Sequence, residues 1–336
     1  MSFLKGSRVV RLFLVAVLAS FLGGIGLGVG WLNHRLDLPT PTVDLSIEPG
    51  ASAREVAIGV ADAGVSISPA LLYWWFRLSG QSRQIRAGSY ELDRDTTPRS
   101  LLRKLVQGEE ALRSVTLVEG WTFQQVRMAL KNAEQLKPQT QDLLPEAIMA
   151  QLGKTGVHPE GRFFPDTYTY SKGSSDLAVL RRAMRAMDKR LAAAWAQRAP
   201  QSPLKSPEQA LALASIVEKE TGRTNDRALI AAVFSNRLRI GMRLQTDPSV
   251  IYGLGPSFDG NLRKIDLQTD TPWNTYTRVG LPPTPIAMPG KASLLAAVQP
   301  ANSNALYFVA KGDGSSQFSA TLDEHNRAVN KYQRGQ

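Results

Sequence analysis

Residues 12–32, LFLVAVLASFLGGIGLGVGWL, form an unbroken run of 21 uncharged, mostly apolar residues. A helix rising about 1.5 Å per residue carries such a run across a hydrocarbon core of roughly 30 Å. The run therefore predicts a transmembrane helix, and all that follows must fold on one side of the bilayer. Lys5, Arg8 and Arg11 precede it with no acid among them. The positive-inside rule then makes residues 1–11 a cytoplasmic tail and sends the rest outward, which in a bacterium means the periplasm or its equivalent. A cleaved signal peptide is the competing reading. Its apolar region is usually about 7–15 residues and ends in a small-residue cleavage site, and neither feature fits. Gly24 and Gly28, with Gly26 and Gly30, form a small-residue stripe of the kind that lets membrane helices pack.

The formal charge of +11 falls to +8 once the three tail cations are set aside. A basic exterior suits an anionic membrane surface or an acidic polymer, and an exported address argues against nucleic acid. There is no cysteine, which excludes disulfides, thiolate metal sites and thiol nucleophiles. His34, His158 and His325 follow no metal-ligand spacing, so neither a metal nor a cofactor is expected. With 336 residues and 43% apolar content the chain is globular and long enough for two domains.

Residues 33–42, NHRLDLPTPT, read as a short stiff linker because Pro39 and Pro41 favour extended chain. A compact α/β unit is expected over 43–112. Its strand at 43–48 leads through a Pro-Gly turn to a helix at about 52–63. A second helix starts after Ser68-Pro69, and a strand near 85–92 and a helix at 98–107 complete it. Tyr73, Trp74, Trp75 and Phe76 point around the second helix and read as packing rather than one carbohydrate platform. Val118-Glu119-Gly120-Trp121-Thr122 repeats the strand–glycine turn–cap–helix order of Ile47 to Ser52, a punctuation too common to prove duplication. Residues 113–336 read as a mostly helical domain with short strands, including a hairpin from 306–310 and 317–321 and a loop at 199–207. The whole is α+β. Arg181, Arg182, Arg185, Lys189 and Arg190 fall on a helix as a solvated basic face.

No serine-elbow, phosphate-loop, zinc-protease or dinucleotide motif stands in a suitable context, which leaves carboxylate chemistry. One helix stands out. Ser206 and Pro207 supply cap and first residue, Gln209 a capping-box partner, and Gly222 a C-terminal stop. The body at 210–217 is apolar on every side and predicts a buried helix. Leu211, Ala214, Ser215 and Glu218 share one face, so Glu218 hangs from the core at the negative helix end. Burial and the macrodipole both favour its protonated form, as a general acid requires. A plain ion pair with Arg223 or Arg227 stays open as its role from geometry alone. Glu220 lies about 200° around the helix and cannot share a substrate face with Glu218.

Two downstream loops suit a sugar polymer. In 241–252, GMRLQTDPSVIY, Gly241 ends a helix and Asp247 caps the next. In 272–290, PWNTYTRVGLPPTPIAMPG, prolines stiffen a wall, while Trp273, Asn274 and Tyr276 alternate aromatic with amide. That mix can stack on pyranose rings, and an ordinary surface loop has it too.

These residues resemble a known family. LASIVEKET (213–221) resembles the signature of the YceG-like family of endolytic murein transglycosylases. GRFFPDTY (161–168), VFSNRLRIGMRLQTDPSVIYG (233–253), NTYTRVGLPP (274–283), YFVA (307–310) and EHNRAV (324–329) resemble it in order and spacing. Residues 43–112 are similar to the family's LysM-like subdomain, and 12–32 sits where the family has its inner-membrane helix. Thr284 departs from the pattern, since many members carry Gly there.

The resemblance implies a lytic transglycosylase that cuts the β-1,4 bond between N-acetylmuramic acid and N-acetylglucosamine within nascent peptidoglycan strands, leaving 1,6-anhydro ends and helping to end strand elongation. It implies that Glu218 is catalytic, with Glu220, Gln245, Asp247, Asn274 and Tyr276 in the substrate groove. It also implies work beside peptidoglycan synthases of the elongation or division machinery. The alternatives are a membrane-anchored glycan-binding scaffold without catalysis and a plain hydrolase that admits water.

Overall fold

The computed structural model describes the backbone of residues 3–334 and the side chains of residues 14–334. Met1, Ser2 and the side chains of Lys5, Arg8 and Arg11 lie outside the described residues. Helix α1 (Phe3–Asn33) contains the expected apolar span, and its stretch Leu14–Asn33 is long and apolar enough to cross a membrane. The chain divides into two compact units, one up to Arg113 and one from Ser114 onward.

After α1, the first unit holds β1 (Thr42–Ile47), α2 (Ala53–Asp62), α3 (Pro69–Leu78), β2 (Gly88–Asp93) and α4 (Pro98–Gln107). β1 alternates exposed and buried, which aims Val43, Leu45 and Ile47 at one core. β2 pairs with it antiparallel, Val43 opposite Leu92 and Leu45 opposite Tyr90. β2 starts at Gly88, three residues later than the sequence suggests, after a tight helical turn at Ser82–Gln84. A Ser52–Glu55 capping box opens α2, and Thr97 with Pro98 opens α4. Leu72 and Phe76 from α3 enter the core, Tyr73 and Trp75 pack at its rim, and Trp74 stays exposed.

The segment 33–42 is not a free linker. Leu36 is buried, its N–H donates to the Thr96 carbonyl at 2.8 Å, and Asp37 bridges Ser66. Stiff prolines alone predict a spacer. Here Pro39 lies against Gly64, and the spacer has become part of the fold.

β3 (Leu112–Thr116) begins at the boundary and pairs with β4 (Thr167–Ser171). Between them lie α5 (Phe123–Lys131) and α6 (Pro145–Gln151), and α7 (Asp176–Ala196) follows. One apolar core joins β3, β4, α5, α6 and the first half of α7. On α7, Arg182, Arg185 and Lys189 are exposed, whereas Arg190 stacks 3.8 Å from the Phe164 ring.

A second core is built around α8 (Pro207–Glu220), packed by α9 (Thr224–Arg239) and, further along, α12 (Lys291–Val298). α10 (Asp247–Leu254) and α11 (Lys264–Gln268) lie between these helices in sequence. β5 (Tyr307–Ala310) and β6 (Ser316–Ser319) form the expected antiparallel hairpin, followed by α13 (Leu322–Val329). The protein is thus mostly helical with short two-stranded sheets, an α+β arrangement.

Two local expectations are corrected. Gly222 is not a left-handed stop. Thr221 ends α8 in extended conformation, and its hydroxyl accepts the Arg223 N–H at 2.9 Å, turning the chain directly into α9. Asp247 is not the cap of α10. Thr246 is, and Asp247 is left free to accept the Tyr276 hydroxyl.

Candidate functional site

Every residue from Ala210 to Val217 is buried, so α8 is fixed on all sides and the position of its last turn is fixed with it. Ser206 caps it by accepting the Gln209 N–H, while the Gln209 side chain accepts from Lys205 rather than closing the box. Ser215 ties the helix to a neighbouring loop, its hydroxyl accepting the Ile286 N–H at 3.0 Å.

Glu218 follows one turn later, with its side chain only 7% exposed. One carboxylate oxygen accepts the Gly290 N–H at 2.8 Å, and the other lies 3.8 Å from the Arg227 guanidinium. Gly290 caps α12, so the positive end of that helix meets the carboxylate that the negative end of α8 carries. The ion pair that geometry left open is therefore present, with Arg227 and not Arg223. Arg227 is buried, yet its Nε–H has no hydrogen-bond partner among the described residues. A salt bridge this long, with a donor to spare, leaves capacity for a further anionic or carbonyl group.

A second carboxyl group reaches the same place from 99 residues earlier. Gly120, at φ +77, turns the chain sharply after Glu119. The turn is clamped by Gly120 N–H to Met288 carbonyl at 2.9 Å and Met288 N–H to Trp121 carbonyl at 2.7 Å. Lys219 donates to the Gly120 carbonyl at 3.3 Å. The Glu119 carboxyl thereby lies against Gly290, in the space a Cβ would need. Burial raises its pKa, the Glu218 charge raises it further, and Arg227 opposes both. In the sequence Glu119 only punctuates a strand–turn–helix junction.

Glu220 points the other way, as the helix geometry predicts. It lies in a cavity of about 720 Å³ lined also by Arg237, Gln245, Asp247, Tyr276, Tyr307 and His325. Glu220 accepts the Thr246 hydroxyl, and burial with the nearby Asp247 charge raises its pKa against Arg237. Tyr276 donates to Asp247 at 2.5 Å; burial, that bond and the two nearby acids push its hydroxyl upward. Gln245 adopts φ +51, and its N–H donates to the Thr275 carbonyl. Arg237 is spent on the Leu306 and Leu244 carbonyls and braces the cavity floor.

Four of the five groove candidates thus share one cavity, which Glu218 does not line. Asn274 is the exception. It is fully buried, its amide donates to the Asp266, Leu267 and Thr269 carbonyls, and its oxygen accepts from Tyr276 and Thr277. With donors and acceptor engaged it shapes the loop instead of facing a ligand. Trp273 is likewise half-buried, donating to the Thr284 hydroxyl, so the residue that departs from the Gly pattern has a bond of its own.

A carboxyl held at the end of a buried helix by a guanidinium and a backbone amide, beside a second acid, is the equipment of an acid–base enzyme, here on a chain with an apolar N-terminal helix. The YceG-like family model matches residues 45–331, and the chain belongs to that family. It is 32% identical over 311 residues to a Bacillus subtilis protein named endolytic murein transglycosylase, covering 87% of this chain and 85% of that one. A Streptococcus pneumoniae protein of the same name is 27% identical over 85% of this chain, which spans 58% of the pneumococcal protein. A crystal structure of a putative YceG-like protein from Listeria monocytogenes superposes with a TM-score of 0.52 at 28% identity, covering 85% of this chain and 98% of that one.

Proposed function

We propose that the chain is an endolytic murein transglycosylase that cuts peptidoglycan strands internally, with Glu218 as its acid and base. The observation that carries this reading is Glu218 itself, fixed by α8 between Arg227 and Gly290 in a chain whose relatives bear that name. Glu218 protonates the glycosidic oxygen linking N-acetylmuramic acid to N-acetylglucosamine. It then takes the proton of the muramic 6-hydroxyl, which attacks C1 and closes the 1,6-anhydro ring. The nucleophile belongs to the substrate, so no water needs to be held in place. Arg227 balances the carboxylate once the first proton has left.

Glu220, Gln245, Asp247 and Tyr276 would bind glycan in their cavity. α1 is a candidate single-pass anchor. In this reading its N-terminus is cytoplasmic, both units are periplasmic, residues 43–112 act as a LysM-like subdomain, and synthases are neighbours at the inner membrane.

The test uses the full chain in detergent, with and without Glu218→Gln, on uncrosslinked glycan strands read by mass spectrometry. Internal cuts ending in anhydromuramic acid, lost in the Gln variant, are expected. Reducing ends would make it a hydrolase, and strands bound but uncut would make it a scaffold.

A further inference from the structure

Gly290 has φ −77, a conformation open to any residue, so backbone freedom does not call for a glycine there. Space does: the Glu119 carboxyl fills the volume a side chain would take. On the other side, the amide of the same residue donates to Glu218. Two acids from distant parts of the chain therefore converge on one backbone unit, and Arg227 is the guanidinium that faces them.

We propose that Glu119 is a positioning residue for Glu218, the second carboxyl of a cluster of two acids and one guanidinium that is electrically neutral only while it holds one proton. The proposal rests on the reading of Glu218 as the catalyst. The groups around the pair can be named element by element. α8 supplies Glu218 and Lys219, and the lysine is drawn to the Gly120 carbonyl. α9 supplies Arg227, and α12 supplies the Gly290 amide, followed by the exposed Lys291. Two adjacent carboxylates facing one guanidinium leave a surplus of negative charge, with the Glu218 side chain buried and Glu119 exposed beside it, and that surplus favours retention of a proton. That proton belongs to the pair, and the substrate's glycosidic oxygen draws on it through Glu218. The Glu119 turn thus supplies by folding what no neighbouring residue in the sequence of α8 supplies.

The experiment is the pH profile of kcat/KM for the full chain in detergent on uncrosslinked strands, for wild type, Glu119→Gln, Glu119→Asp and Gly290→Ala. Removing the like charge should move the alkaline limb of Glu119→Gln toward acid, by up to about one pH unit, since Glu119 is exposed and its charge is partly screened. KM should stay within about twofold, and activity should recover on the acid side. Gly290→Ala keeps both acids but displaces the Glu119 carboxyl, and should move the limb the same way by less. Glu119→Asp should restore most of the wild-type profile. If Glu119→Gln does not fold, the Gly290→Ala limb decides. An unmoved limb, with a rate lowered equally at all pH values, would assign Glu119 a purely structural part and overturn the proposal. Glu218→Gln separates the two readings: if it is inactive while the Glu119 limb stays put, only the pairing falls. If it is active, the catalytic assignment falls and the pairing with it.

Discussion

Glu160 offers a stability test whose sign follows from its surroundings. It is 3% exposed, wedged where α5 begins, and both its oxygens accept the Phe123 N–H, at 3.0 and 3.1 Å. Tyr252 donates to it from α10 at 3.2 Å. Burial nevertheless dominates these bonds and pushes its pKa from 4.5 up to about 7. Between those two values the folded chain holds a proton that the unfolded chain has lost. Stability from this group is therefore full below the unfolded pKa of 4.5 and is lost as pH rises through about 7. At about 1.4 kcal/mol per pH unit the loss approaches about 3 kcal/mol by pH 8. The assay is urea unfolding of the detergent-solubilised chain by tryptophan fluorescence at several pH values from 5 to 8, for wild type and Glu160→Gln. The variant puts a neutral amide where the folded chain holds a protonated acid at pH 5, and it cannot titrate. The stability of wild type relative to the variant should therefore fall by about 2–3 kcal/mol across the range. A relative stability that stays level or grows with pH would refute the reasoning.

Two further outcomes are expected. Asn274→Ala strips three carbonyls of their donor and should lower stability by about 1–3 kcal/mol, measured by thermal melting, with activity falling only as the folded fraction falls. Gly161→Ala is strained twice, at φ +77 and by a Cβ meeting the Pro285 ring, and should cost more than about 1 kcal/mol in the same assay.

The parts of this fold that could be read in advance are those whose cause is local. Ser206-Pro207 and the all-apolar body of α8 announce a buried helix, because capping and burial act within a few residues. The β5–β6 hairpin declares itself by its strands and glycine turn. Glu218 and Glu220 are assigned to opposite faces by helix pitch alone. Glu119 had no such signal. Its partner is 99 positions away, and the one residue that records their meeting, Gly290, looks like an ordinary helix start. Asn274 misled for the opposite reason. Aromatic–amide alternation suggests a sugar-binding edge, but three backbone carbonyls near the end of α11 claim that amide, and only tertiary packing brings them to it. The stop of α8 failed similarly, because the Thr221 hydroxyl did the work expected of Gly222.

The pinned segment after α1 has a consequence of its own. From Asn33, where the apolar helix ends, only three residues lead to Leu36, already locked to Thr96. Extended chain spans at most about 3.5 Å per residue, so the first unit stands within roughly 10 Å of the helix exit. A loose tether would let that unit sample a wide volume about the end of α1. This one acts as a fixed ruler. Whatever the first unit touches must come within that reach of the end of α1, and lengthening residues 34–35 by a flexible insert would extend the reach without altering either core.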